Sequence, residues 1–590
     1  MCGGAPARAV GVVALLLCLL AGAARAGAGP LRVEVSGVQG PLRQNVLGYL
    51  EIWAYHDKPA PSPARLRYLH RAARKQIEKA LQPFGYYHPR IEAELLTRDD
   101  GWLARYRIEP GKPVRVAAAT LRLTGPGRND PVLRGVLDEY APRVGAPLDQ
   151  PRYEQLKKQL KLKATERGYF DAELREHRIT VDLRDDTARI ALHFDTGPRY
   201  RLGAVRFEQS RPWLDDDFLR RYVRFRPGEP YDAGLLQALQ SDLFNANYFS
   251  RVELIADPKK ADAAHVIPVE VRLVPRKPRR YVVGVGYGTD TGARLKLGVT
   301  GRRVNRRGHH YSAEAILAQV RTGIAGEYVI PGKDPRQDAW GLRASYLDEH
   351  SDTRNFESVS VGGYYKVRHG LWVKTYALDH TIERFEVAGE NATSTMLVPS
   401  VDWTRTEPGA LEKRIYAQRG RWLQLRLRGA ARALLSDTDF LQPLVAAKWI
   451  HGFGPRVGRV IARGALGTTW VSDFDALPTS LRFFTGGDRT VRGYAYNVIG
   501  PTGADGSVVG GRHLVEASLE YEYPLNDKWS LAAFVDSGDA FNDRLDLKTG
   551  VGLGLHWRSP IGPVRIDFGH GLRQPVGTTL LLHLNIGPDL

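Results

Sequence analysis

Cysteine is all but missing from this chain. Of 590 residues two are cysteine, Cys2 and Cys18, and both lie in the opening stretch MCGGAPARAVGVVALLLCLLAGAARAGAGP. Arg8 gives that stretch a positive start, Ala9 to Ala23 form a short apolar run, and Ala24-Arg25-Ala26 is a small-x-small cleavage signature. Residues 1–26 therefore read as a secretory signal peptide cut after Ala26. Leu17 stands where a lipoprotein signal would need a small residue, which argues against lipidation at Cys18. With the signal removed no cysteine remains, so disulfides and thiolate metal sites are excluded even at an oxidising destination. Long apolar runs are missing too. No later segment offers ~18 uninterrupted apolar residues, which excludes a transmembrane helix. Also lacking are HExxH, GxSxG, a P-loop and any zinc-spaced Cys/His set. His309 and His310 adjoin, but neighbours on a strand point to opposite faces and make poor joint ligands. A protein that is not an enzyme, with no cofactor and no metal, is the expectation.

Glycine and aromatics are plentiful: 61 Gly, 26 Tyr and 11 Trp. The net charge is +19, and losing Arg8 and Arg25 with the signal leaves 19 − 2 = +17. A basic chain raises the question of nucleic acid. Export and the even spread of the charges argue against it, and anionic headgroups or a polar barrel lumen fit better. The run PRKPRR, Pro275 to Arg280, reads as a solvated joint or as a contact with inner-leaflet headgroups.

The first half repeats itself. GYY at Gly85-Tyr86-Tyr87, GYF at Gly168-Tyr169-Phe170 and NYF at Asn247-Tyr248-Phe249 are spaced by 83 and 79 residues. Each follows a helical stripe: Leu66, Leu69, Ala73, Ile77 and Leu81; Tyr153, Leu156, Leu160 and Ala164; Leu236, Leu239 and Leu243. Gly or Asn leads each motif, as suits a left-handed residue past a helix end. Helix entry recurs as GAPLD (145–149) and GEPYD (228–232). Proline-bearing joints recur as EPGKPVRV, DTGPRYRL and VPRKPRRY. Units of roughly 80 residues reading strand, helix, helix, strand, strand are small α+β domains in tandem. They resemble POTRA (polypeptide-transport-associated) domains, at 31–115, 116–200 and 201–278. Their three-stranded sheets would offer exposed edges to an extended partner.

From about Arg280 the pattern changes to ten-residue segments of strict alternation. In HLVEASLEYEYP, Val515, Ala517, Leu519, Tyr521 and Tyr523 oppose Glu516, Ser518, Glu520 and Glu522. The segments around Val551–Trp557, Val564–Phe568 and Leu580–Ile586 alternate likewise, setting His556, Asp567 and His583 on the inner side. Apolar faces toward lipid and polar faces toward a lumen make a transmembrane β-barrel over 279–590. About 16 antiparallel strands are counted from YVVGVGYGT to LLLHLNIG.

Between Leu477 and Gly511 lies a long Gly-, Thr- and Pro-rich loop containing TVRGYAYN. Asp536 and Phe534, in FVDSGDAF, and Glu520 share the inward parity. Arg492 could fork onto such a carboxylate, with Gly493 allowing close approach and Tyr494 packing beside it. From the residues alone an exposed arginine fits equally well.

TVRGYAYN, GGRHLVEASLEYEYPL and FVDSGDAF, in that order behind three POTRA-like repeats, resemble the BamA-like outer-membrane assembly-factor superfamily. Its VRG(F/Y) motif falls on Val491, Arg492, Gly493 and Tyr494, and its inward acidic positions on Glu520 and Asp536. Three POTRA-like units are similar to the TamA branch, the translocation and assembly module. The resemblance implies an outer-membrane barrel with POTRA domains in the periplasm. Also implied are a weak seam between first and last strands and a role in inserting autotransporter and other β-barrel clients beside a TamB-like periplasmic partner. The rival expectation is a pore of the two-partner-secretion kind.

Overall fold

The computed structural model describes residues 29–290, 292–387, 389–407, 417–454, 457–559, 562–573 and 580–586. The signal stretch 1–26 lies outside them. The striped helices form where the spacing puts them. Pro63–Leu81 is capped by Ser62 and buries Leu66, Leu69, Ala73, Ile77 and Leu81. Gln150–Glu166 is capped by Asp149 and buries Tyr153, Leu156, Leu160 and Ala164. Ala233–Asn245 buries Leu236, Leu239 and Leu243. Gly85, Gly168 and Asn247 have φ of +86°, +85° and +69°. Gly168 could hardly be another residue, because an added Cβ would come 2.6 Å from Tyr231 Cβ.

Each helix pair packs on a small sheet. In the second unit the order is Arg115–Thr124, Thr187–Asp195, Glu173–Asp182, with one parallel and one antiparallel pairing. The third unit orders Arg201–Gln209, Val266–Pro275, Phe249–Ile255. The first unit departs from the expected three strands. Lys58–Pro59 adds a short fourth at the free edge of Pro30–Ser36. The 3₁₀ turn Glu51–Tyr55 brings it back there and buries Ile52 in the same core.

Contacts divide the chain into two compact units. One holds Met1–Ala204, Phe225–Gln237 and Ala256–Val269; the other holds Val205–Arg224, Ala238–Ile255 and Glu270–Leu590. Part of the third α+β module thus coheres with the barrel. Phe218 packs where a Cβ on Gly308 would lie 2.4 Å from its ring. Asp215 pairs with Arg306 at 2.7 Å, and Arg303 donates to the Trp213 carbonyl at 2.9 Å.

The second half closes into a barrel of antiparallel strands. Seventeen segments form its sheet, of which Trp470–Val471 continues Gly458–Thr468 against the same neighbour, leaving 17 − 1 = 16 staves. The alternation sorts as its chemistry demands. Leu519, Tyr521, Leu531, Val535, Leu553 and Leu582 are exposed on the outside, while Glu520, Glu522, Asp536, His556, Asp567 and His583 are buried within. No helix among the described residues is long and apolar enough to cross a membrane; a barrel crosses with strands.

Closure is uneven. The first strand, Arg279–Gly288, pairs along its whole length with Gly292–Gly301. Against the last strand, Leu581–Ile586, it pairs at one position among the described residues, Gly288 with Asn585. Two further bonds join the edges there: Thr289 N to the Leu584 carbonyl and Leu584 N to Thr289 Oγ1, both 3.2 Å.

Candidate functional site

The segment after Trp470–Val471 folds into the lumen instead of leaving it. At its entry Arg482 donates to four carbonyls, those of Leu477, Phe474, Asp475 and Val509. A buried guanidinium that feeds carbonyls organises irregular backbone that has no sheet to pair with. Thr479 Oγ1 and Ser480 N donate to Glu383 Oε1, tying the same turn to the wall.

Deeper in, Arg492 is 2 % exposed and meets three carboxylates. Its Nε and Nη2 fork onto Asp536 at 2.7 and 3.1 Å, and its backbone N–H adds a third bond to Asp536 Oδ2 at 3.2 Å. Nη1 donates to Glu520 Oε2 at 2.6 Å and to Asp567 Oδ2 at 3.2 Å. The Phe534 ring lies 3.4 Å from the guanidinium carbon, closing the remaining face. Val491 and Tyr494 are buried beside it. The structure thus brings together Arg492, Glu520, Phe534 and Asp536.

Three features went unread in the sequence. Asp567, on Gly562–Gly571, is a third acid on the arginine. It was legible as inward-facing, but nothing in strand parity said which lumenal group it meets. Second, glycines clear the loop's berth. A Cβ on Gly550 would lie 1.8 Å from the Arg492 carbonyl, and one on Gly569 2.6 Å from Gly493 N. Gly493 itself, at φ +92°, lies where a Cβ would meet the 570–571 backbone at 2.7 Å. Third, an ionic chain continues from the arginine. Asp567 Oδ1 faces His556 Nε2 at 3.0 Å, and His556 Nδ1 faces Glu522 Oε1 at 2.7 Å. Glu522 Oε2 accepts from Arg459, whose Nη1 donates to the Ala417 carbonyl at 2.7 Å.

Glu520, Glu522 and His556 bring ligand atoms within 4.8 Å of one another. As a metal site they fit poorly. Glu520 is bound to Arg492, Glu522 to Arg459 and both ring nitrogens of His556 to carboxylates. Two guanidiniums already neutralise these acids, and a dication would be repelled. His309 and His310 go separate ways, to Tyr328 Oη and the Gly308 carbonyl.

The loop also touches both sides of the junction between the first and last strands. Asp488 N donates to Asp290 Oδ2 at 2.6 Å, in the turn after the first strand. Asp488 Oδ2 accepts from Asn585 Nδ2 at 3.2 Å, and Gly493 N donates to His583 Nε2 at 2.9 Å, both on the last strand. Burial, and then the Asp488 carboxylate, push Asp290 up to about 7.

Comparison with known proteins agrees with this architecture. Residues 340–588 match the model of the Omp85 superfamily domain. Residues 32–110 match the POTRA domain TamA domain 1, and residues 200–276 the POTRA model described as surface antigen variable number repeat. The chain is 26 % identical over 396 residues to the outer membrane protein assembly factor BamA of Nitratidesulfovibrio vulgaris, covering 61 % of this chain. It spans about half, 47 %, of that relative's length. BamA from Haemophilus ducreyi lacking POTRA domains 1–3 superposes with a TM-score of 0.67 at 18 % identity, over 80 % of this chain and 99 % of that one. That likeness is one of fold. Residues 340–588 thus match an Omp85 superfamily domain, and the two stretches that match POTRA models precede it in the sequence.

Proposed function

We propose that this chain is a non-enzymatic assembly factor of the bacterial outer membrane, with its POTRA domains in the periplasm. It inserts β-barrel and autotransporter-type clients and acts in the manner of the TamA branch, beside a TamB-like periplasmic partner. The observation that carries this reading is the seam, where first and last strands share one paired position among the described residues. Unpaired edges in a bilayer are costly and become a template for an incoming strand. The lumenal loop, clamped by Arg492 and touching both sides of the seam, keeps the barrel closed until a client arrives. The TamA-type match of the first POTRA domain and the assembly-factor relative support the reading.

The test is insertion of an autotransporter client into proteoliposomes containing Arg492→Ala. Insertion is expected to fall severalfold; unchanged insertion with an unchanged barrel would refute the loop's role. The rival two-partner-secretion pore predicts steady conductance in planar bilayers. A loop-filled lumen predicts small or erratic currents.

A further inference from the structure

The two joints between successive α+β modules are built from the same hydrogen bonds. At the second, Tyr200 N donates to the Gly168 carbonyl, Tyr231 N to Tyr200 and Gly228 N to Leu202, at 2.8, 2.9 and 2.7 Å. At the first, Val114 N donates to Gly85, Leu148 N to Val114 and Gly145 N to Val116, each at 2.8 Å. Arg201 and Arg115 match as well, each giving Nη1 to the carbonyl of Gly228 or Gly145 at 2.7 Å. The helix caps correspond in turn. Asp232 accepts from Gly234 N and Asp149 from Arg152 N.

Two positions break the correspondence. Just before Gly168 stands Arg167, whose guanidinium bridges Asp130 Oδ2 at 3.2 Å and Asp232 Oδ2 at 2.8 Å. Just before Gly85 stands Phe84, and Gln39 occupies the cap position that Asp130 fills. The Asp149 carboxylate therefore has the place of Asp232 without its cation. No arginine or lysine pairs with it among the described residues. In front of it opens a groove of about 550 Å³ lined by Gln39, Leu42, Phe84, Tyr86 and Pro147. Two arginines stand at its border beside the exposed Asp149: Arg152 donates to the Glu139 carbonyl and lies over the Tyr140 ring, which directs its guanidinium without neutralising it, and Arg143 is exposed at the rim.

We propose that the joint between the first and second modules is a docking groove for an extended segment of a partner polypeptide bearing arginine. The partner's guanidinium takes the place that Arg167 fills at the next joint. It pairs with Asp149 and lies against Phe84, while Tyr86, Leu42 and Pro147 cover its aliphatic stem. Charge-assisted pairing and an aromatic face both suit arginine over lysine. This inference is independent of how the barrel works.

The test uses the full chain in nanodiscs and three fluorescent octapeptides, identical but for a central arginine, glutamate or norleucine. The arginine peptide is expected to bind best by fluorescence anisotropy. Asp149→Asn keeps a competent helix cap and is expected to weaken it about tenfold, the size of one charge-assisted contact. Phe84→Arg supplies the guanidinium from within, so it is expected to abolish binding and to slow hydrogen exchange across residues 141–149. The inference is overturned by best binding of the glutamate peptide, or by no arginine preference at peptide concentrations up to about 1 mM. Equal binding to both variants, or unchanged exchange in Phe84→Arg, overturns it as well.

Discussion

Arg492 shows how much one side chain can be asked to hold. Its fork on Asp536, its bond to Glu520 and its longer bond to Asp567 are all removed from water. Removing the arginine takes the nearest cation from buried Asp536 and Glu520 and leaves Asp567 only His556, so Arg492→Ala is expected to cost about 3–5 kcal/mol of barrel stability. Heat-modifiable migration or urea unfolding reads this directly. Arg492→Lys keeps the charge but cannot fork, and it is expected to recover less than half of the loss. Asp536, with three bonds to Arg492, should matter more than Asp567, with one. Asp536→Asn is therefore expected to lower the unfolding midpoint more than Asp567→Asn, and the reverse order would contradict this geometry. His556 joins the cluster to Glu522 and Arg459 through both ring nitrogens. His556→Leu should destabilise more than His556→Gln, since glutamine still bonds one carboxylate and leucine bonds neither.

Among elements, the strands are the most legible in the sequence. A period of two with apolar residues outside and polar residues inside leaves few ways to place Leu519 against Glu520, or Val535 against Asp536. Parity alone therefore assigns Asp536 and Glu520 to the lumen. It does not say that strand Gly562–Gly571 supplies Asp567, 75 residues from Arg492, to the same guanidinium. Nor do the glycines of GVGLGLHWR announce a berth, because glycine on an inward face is also what a crowded barrel wall requires. The helical stripes are legible for the same reason as the strands, one face buried per turn. Lys58–Pro59 is not, since two residues carry no period. Gly550→Val places a side chain where the Arg492 carbonyl lies and should expel the loop without disturbing strand pairing. Protease accessibility of the 486–494 segment should rise while the heat-modifiable barrel persists; continued protection would contradict the berth.

At the scale of the whole molecule, the barrel is closed along fifteen of its junctions by ladders and at one by a single pair among the described residues. The loop compensates at that junction through Asp488, which reaches Asp290 on one side and Asn585 on the other. Seam closure is therefore expected to depend on pH. Burial and the neighbouring Asp488 carboxylate raise Asp290 from 3.8 to about 7. A raised carboxyl stabilises the closed form fully below its ordinary value, and that contribution is lost as pH rises through about 7. A fluorophore pair across the seam should report closure at pH 5 and increased opening at pH 8, and Asp290→Asn should flatten the dependence. Opening that grows toward acid would contradict the assignment.

If clients enter through the seam, a reversible lock on it should stop them. With Gly288→Cys and Asn585→Cys the one paired position of the seam can be oxidised shut in a chain whose only other cysteines, Cys2 and Cys18, lie in the N-terminal stretch. A control pair, Ala462→Cys with Leu519→Cys, locks two strands that are already fully laddered. Oxidation is expected to stop insertion of an autotransporter client in the seam variant, reduction to restore it, and the control to insert throughout. Undiminished insertion through an oxidised seam would contradict it.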